Sequence, residues 1–327
     1  MDLHHTTPTS MLFNLKHLHI EISSKCTLKC PRCPRTELKN PNLNREISLE
    51  EFRKAFPFDT LKSIESIAFC GDIGDPIYAR DFLDICEYIK SNSSVILRIT
   101  TNGSYKDSAW WQRLGTILTN EDRIRFSLDG WDQDSNERYR VNSDWDSIVL
   151  GIETLRSSSK CVMIWSAICF NFNEENLDHM QDMAKDFGFD VFTVVRSSKF
   201  GGRYATKGVD LLKPSPAGVA KTSQYEMDSE YFTPVVPFVL KSKEIHPWAQ
   251  CINWTTQILI NVDGLVFPCA WFHSGYMSNP FFEKYKDKLS IKTRTLSEIL
   301  ADPMWDELVS SFDTNPLPIC QMKCKNG

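Results

Sequence analysis

With 327 residues, 42% hydrophobic and 24% charged, the chain can bury one large α/β unit and a smaller module. A net charge of −5 and a pI near 5.9 weigh against a nucleic-acid partner or an anionic membrane surface, each of which favours a basic face. No apolar run approaches the roughly 20 residues that cross a bilayer, and the first residues lack a secretion signal's basic start and apolar core, so a cytoplasmic enzyme is expected.

Strand and helix patterns alternate along the first 200 residues. Residues 18–23 predict a strand, followed by a cysteine-bearing loop and a helix starting near the cap Ser48. A second strand at 64–69 runs into a Gly/Asp/Pro loop and a helix at 80–90. The strand at 95–100 leads through the turn residues Asn102 and Gly103 to a helix at 110–118. Strands at 123–128 and 162–170 are followed by helices at 146–157 and 174–187, and a sixth strand covers 192–195. Right-handed crossovers between such units make the strands parallel. Six units are too few to close an eight-unit barrel. The expected fold is therefore α/β, a partial (β/α)6 barrel over 18–200 preceded by an extension at 1–17. In such a sheet the loops beyond the carboxyl ends of the strands carry the chemistry.

Gly201, Gly202, Pro214, Pro216, Pro234 and Pro237 mark 201–250 as a connecting region. Residues 251–327 are expected to form a small module of their own. It would hold a hairpin at 257–267 turned at Asp263 and Gly264, and one helix at 296–312. No internal repeat is present.

The chain has eleven cysteines; a reducing compartment makes a disulfide framework unexpected, and an odd count fits complete pairing poorly. Cys70, Cys86, Cys161 and Cys169 lie in apolar stretches and read as buried small side chains. The other seven form two groups. Cys26, Cys30 and Cys33 are spaced C-x3-C-x2-C just after the first strand. Thiolates select zinc or iron–sulfur clusters, and structural zinc usually takes four protein ligands. Three thiolates can hold three irons of a cubane and leave the fourth open. Structural zinc and unliganded loop cysteines remain the alternatives. Further along, Gly71 and Gly74 allow close backbone approach, and Asp75 is a carboxylate suited to an ammonium group.

This cysteine spacing resembles the signature of the radical S-adenosylmethionine superfamily, and the similarity extends over residues 18–195. The resemblance implies that Cys26, Cys30 and Cys33 ligate a catalytic [4Fe–4S] cluster whose open iron chelates S-adenosylmethionine. Gly71, Gly74, Asp75 and Pro76 are similar to the family's Gly-Gly-Glu-Pro loop, with Asp75 one methylene shorter than the usual Glu. Ser127, at the head of Ser-Leu-Asp-Gly, resembles the family's ribose motif. Arg140 after Tyr139 resembles a pair that meets the methionine carboxylate, and Asn102 resembles a further loop contact. Arg32 stands where the family commonly has an aromatic residue.

In the second group Cys251, Cys269, Cys320 and Cys324 would saturate either a cubane or a zinc ion. The C-x12-G-x4-C stretch, with Val266-Phe267-Pro268-Cys269, resembles the opening of the SPASM and twitch modules. That likeness implies one auxiliary [4Fe–4S] cluster of the shorter, twitch type. The implied activity is reductive cleavage of S-adenosylmethionine to a 5′-deoxyadenosyl radical, which takes a hydrogen atom from a small molecule or short peptide. Too few residues precede the first strand for a peptide-recognition domain, and an external donor such as flavodoxin or ferredoxin would supply the electron. The competing expectation is a non-enzymatic, zinc- or cluster-stabilised binding protein.

Overall fold

A computed structural model of the chain describes residues 15–37, 43–197, 200–201, 208–225, 257–269, 280–316 and 318–321. Six strands, β1 (His17–Ile20), β2 (Ser66–Phe69), β3 (Ile96–Thr101), β4 (Arg123–Ser127), β5 (Val162–Ile168) and β6 (Val191–Val195), pair in parallel, each beside its neighbour in sequence. The longer helices between them are α1 (Leu49–Ala55), α2 (Phe82–Asn92), α3 (Ser108–Ile117), α4 (Trp145–Ser158) and α5 (Leu177–Asp186). The architecture is an α/β fold built on a mostly parallel, open sheet, as expected.

Local chemistry starts these helices where they start. Ser48 and Glu51 exchange a capping box at α1, and Asp107 and Asp144 accept the first free N–H groups of α3 and α4. Strand alternation then sorts the side chains. Leu97 and Ile99 of β3 and Ile124 and Phe126 of β4 are fully or almost fully buried on the face that the helices cover. Trp111 of α3 packs on Phe126 with ring centroids 5.5 Å apart. Burying each such side chain contributes about 1.5–3 kcal/mol. The intervening residues of both strands point to the opposite, inner face.

The hairpin β7 (Gln257–Ile260) and β8 (Val266–Phe267) continues this sheet. Its first strand pairs in parallel with β1 and its second returns antiparallel, giving the order β6-β5-β4-β3-β2-β1-β7-β8. This covers the edge of β1, whose backbone groups would otherwise need other partners. The turn is built by Asn261, whose Oδ1 accepts from Asp263 N and Leu265 N, and by Gly264 at φ +79°.

The helix expected at 296–312 is two helices, α7 (Leu296–Leu300) and α8 (Met304–Thr314), which follow α6 (Pro280–Tyr285). The break falls at Pro303, which has no N–H to donate and restricts Asp302. Among the described residues no helix is long and apolar enough to cross a membrane.

Candidate active site

The loops beyond the carboxyl ends of β1 to β5 enclose a cavity of about 200 Å³. Cys26, Cys30, Cys33, Gly71, Gly74, Asp75, Asn102, Ser127 and Arg140, nine residues named from the sequence, all line it. They come from four separate loops, and the parallel sheet brings those loops to one end.

The cysteine loop rests on a small apolar bed. Leu28, Cys30, Tyr139 and Phe170 are buried together there, with Phe172, Phe200 and Leu212 packed against them. Leu28 N and Asn102 Nδ2 both approach Cys26 Sγ, at 3.4 and 3.6 Å. Burial nonetheless pushes the Cys26 thiol up to about 12, and burial also raises Cys30. Such thiols keep their protons until a metal centre displaces them. Among the described residues no group of three His, Cys, Asp or Glu side chains could hold a metal ion. Three soft donors spread around one cavity suit a cubane, in which each sulfur binds a different iron.

The Gly/Asp loop acts mainly on the chain itself. A Cβ on Gly74 would stand 1.9 Å from the Ser23 carbonyl oxygen, so the close approach that demands glycine is to the segment after β1. Asp75 is likewise engaged. Its Oδ1 accepts from Ile77 N at 3.2 Å, and its Oδ2 accepts from Thr101 Oγ1 at 3.1 Å, Asn102 N at 2.7 Å and Asn102 Nδ2 at 2.6 Å. The carboxylate expected to face an ammonium group is thus the tie between two cavity loops. Burial raises it to about 6, against the hydrogen bonds that hold it down.

Arg140 is buried. Its Nε donates to Asp129 Oδ2 at 2.6 Å, while Asp129 Oδ1 accepts from Ile168 N at 2.7 Å. Burial opposes its charge, but Asp129 more than offsets this and holds the guanidinium protonated. A fixed cation therefore stands at the cavity wall beside Cys30.

Arg32 does not line the cavity. It pairs with Asp210 at 2.5 Å and lies 4.9 Å from the Phe200 ring centroid, joining the cysteine loop to residues 208–213. Half of the lining residues were not assigned a site role from the sequence, among them Cys70, Arg35 and Tyr139. Cys70 was expected to be a buried small side chain, yet it lines the cavity, because it lies one residue past β2 at the sheet's carboxyl end. Arg35, two residues after Cys33, and Tyr139 line it too. Their signal was proximity to motifs already noted. Of the second cysteine group, Cys269 is half-buried just after β8 and Cys320 is buried. Cys251 and Cys324 lie outside the described residues.

The radical SAM superfamily model matches residues 20–187, slightly more than half of the chain, and the chain belongs to that superfamily of S-adenosylmethionine-binding iron–sulfur proteins. The chain is 26% identical over 148 residues to a GTP 3′,8-cyclase of Desulforamulus reducens, a match that covers 43% of each protein. To a probable GTP 3′,8-cyclase of Methanococcus maripaludis it is 21% identical over 260 residues, 78% of this chain and 85% of that one. Among solved structures, Streptococcus suis SuiB bound to S-adenosylmethionine superimposes with a TM-score of 0.60 at 16% identity, covering 91% of this chain and 68% of that one. The protein anSMEcpe, with AdoMet and the Cp18Cys peptide bound, gives 0.57 at 16% identity over 94% and 86%. At these identities the structural likeness establishes the fold, a radical SAM partial barrel.

Proposed function

We propose that this chain is a radical SAM enzyme whose Cys26, Cys30 and Cys33 hold the catalytic [4Fe–4S] cluster and whose Gly71, Gly74, Asp75, Asn102, Ser127 and Arg140 shape the S-adenosylmethionine site. The observation that carries this reading is the single cavity that all nine line. When bound, the cluster supplies the electron that cleaves S-adenosylmethionine to methionine and a 5′-deoxyadenosyl radical, which abstracts a substrate hydrogen atom. The chain's part is to orient and to exclude water. Arg140, fixed by Asp129, presents a cation to the methionine carboxylate, and Ser127 offers a hydroxyl to the ribose or methionine end. Asp75 acts from behind by holding Asn102 in place, and the apolar bed under the cysteine loop keeps the site dry.

The substrate is a small molecule or short peptide, and an external flavodoxin or ferredoxin is the electron donor. The similar proteins point both ways on substrate, since some are named as GTP cyclases and SuiB has been solved with its precursor peptide SuiA. Cys251, Cys269, Cys320 and Cys324 would hold the auxiliary cluster of a twitch-type module over 251–327; that Cys320 is buried in the same apolar core as β7, with Cys269 packed against that core, supports this reading.

Anaerobic reconstitution followed by iron counting and a 5′-deoxyadenosine assay tests both sites. Two cubanes give roughly eight irons per chain. Replacing Cys26, Cys30 and Cys33 together by Ala should abolish 5′-deoxyadenosine and leave about four irons. Undiminished 5′-deoxyadenosine in that variant sinks the catalytic assignment, and a colourless, zinc-containing preparation supports a binding protein instead.

A further inference from the structure

Arg35 lines the cavity and has no part in the S-adenosylmethionine site proposed above. It stands on a single helical turn, Pro34–Glu37, that opens directly after Cys33. Hydrogen bonds within the cysteine loop fix that turn. Thr36 N donates to Cys33 O at 2.9 Å, Thr36 Oγ1 to Cys30 O at 2.9 Å, and Cys33 N to Cys30 O at 3.1 Å. The backbone that presents the three thiols therefore also sets the position of Arg35.

The side chain turns back on the same loop. Its Nη1 donates to Leu28 O at 3.2 Å, and Leu28 N approaches Cys26 Sγ at 3.4 Å, so one residue links the guanidinium to a predicted cluster ligand. The Arg35 charge is felt at Cys26, where it favours the thiolate. A guanidinium carries several N–H donors in a rigid planar fork, and only Nη1 is used on Leu28. Nε is buried and has no hydrogen-bond partner among the described residues. A buried charged donor left unmet is costly. Arg140 is engaged by Asp129, whereas no carboxylate among the described residues is within ion-pair reach of Arg35. The group that answers these donors must be anionic, rich in acceptor atoms and seated against the cysteine loop. A cubane held by three thiolates meets all three conditions. Its net charge is negative and becomes more so on gaining an electron, and nearby charge and hydrogen bonds to its sulfurs set its reduction potential.

We propose that Arg35 tunes the catalytic cluster: its unused N–H groups donate to cluster sulfur, and its positive charge stabilises the reduced form. This rests on the assignment of Cys26, Cys30 and Cys33 as the ligands. The step favoured is uptake of one electron from the external flavodoxin or ferredoxin. The donor loses that electron, the cluster gains it, and Arg35 keeps its proton throughout. Arg35 is thus a positioning residue that acts through the cluster and not on the substrate.

The test is a potentiometric titration of the anaerobically reconstituted protein, read by electron paramagnetic resonance of the reduced cluster. The signal followed is the one absent when Cys26, Cys30 and Cys33 are all replaced by Ala. If that variant loses no signal, the ligand assignment fails, and it does so before any Arg35 variant is measured. Arg35→Gln, with the iron content of wild type, should shift the reduction equilibrium roughly ten-fold towards the oxidised cluster, about 59 mV lower for a one-electron couple. Arg35→Lys keeps the charge but loses the fork and should fall between. Lys29→Gln, exposed on the same loop, should titrate with wild type, because solvent and salt screen its charge. A wild-type potential in Arg35→Gln overturns the proposal; if S-adenosylmethionine binding weakens in that variant, the guanidinium serves that ligand instead. Should Arg35→Gln load no iron at this site, Arg35→Lys decides. An intermediate potential upholds the proposal, and a wild-type potential or a second failure to load overturns it, because the side chain then only builds the loop.

Discussion

The two faces of the sheet are built from the same strands and have opposite characters. On the outer face, Leu97, Ile99, Ile124 and Phe126 are packed under helices with 0–1% exposure. On the inner face the alternate positions of the same strands are Arg98, Thr100, Arg123, Arg125 and Ser127. Parallel sheets are usually apolar on both faces. The polar inner face of these strands departs from that pattern, and burial of apolar surface is carried by the outer face. Stability and chemistry are divided between the two faces residue by residue, along single strands.

Substitutions on the two faces test that division. Phe126→Ala, on the outer face, should lower unfolding free energy by about 3–5 kcal/mol in denaturant titration, because it opens a cavity against Trp111. A cost under about 1 kcal/mol would mean that the helix layer repacks easily and that the outer face does not carry the fold.

Asp75, at the mouth of the inner face, should give an intermediate effect. Asp75→Asn sets an amide donor against donors already aimed at the carboxylate, and should cost about 1–3 kcal/mol, read as weaker S-adenosylmethionine binding by equilibrium dialysis. Asp75→Glu restores the residue usual in the family, yet it should also weaken binding, since the longer side chain cannot keep all four hydrogen bonds. Normal binding by the Glu variant would show that Asp75 meets the ligand directly. The carboxyl also has a pH signature. Its folded value of about 6 lies above that of an exposed Asp, so its contribution to stability is fully present below about pH 4 and is lost as pH rises through 6. Asp75→Asn should flatten that part of the profile.

The smallest effect is expected deepest on the inner face. Arg123→Gln should change unfolding free energy by no more than about 0.5 kcal/mol, because relief of repulsion from Arg98 offsets what its own hydrogen bonds contribute. A loss as large as that of Phe126→Ala would erase the distinction between the faces.

Much of this was legible in the sequence, for identifiable reasons. The strand and helix order followed from local periodicity, and the carboxyl-end loops from the handedness of parallel crossovers. Cys26, Cys30 and Cys33 lie within eight residues of one another, so a single loop suffices to gather them. The break at Pro303 was equally visible, but the apolar pattern on either side of it concealed the interruption. The alternation Arg-Ile-Arg-Phe at 123–126 was visible too, as a strand; that its polar half lies on the same face as the cavity-lining Ser127 was not.

By itself, then, the sequence determined the order of the elements, the superfamily and the residues around the cavity, since each depends on spacing along the chain. Only the tertiary structure decided what Asp75 does, because its four donors come from residues 77, 101 and 102 across two loops. It likewise decided that the hairpin of residues 257–267 joins the barrel at β1, and that Arg98 meets Arg123 and Arg125. Register between strands about 25 residues apart is set by packing of the outer face, and no local pattern of the chain encodes which inner side chains that packing makes neighbours.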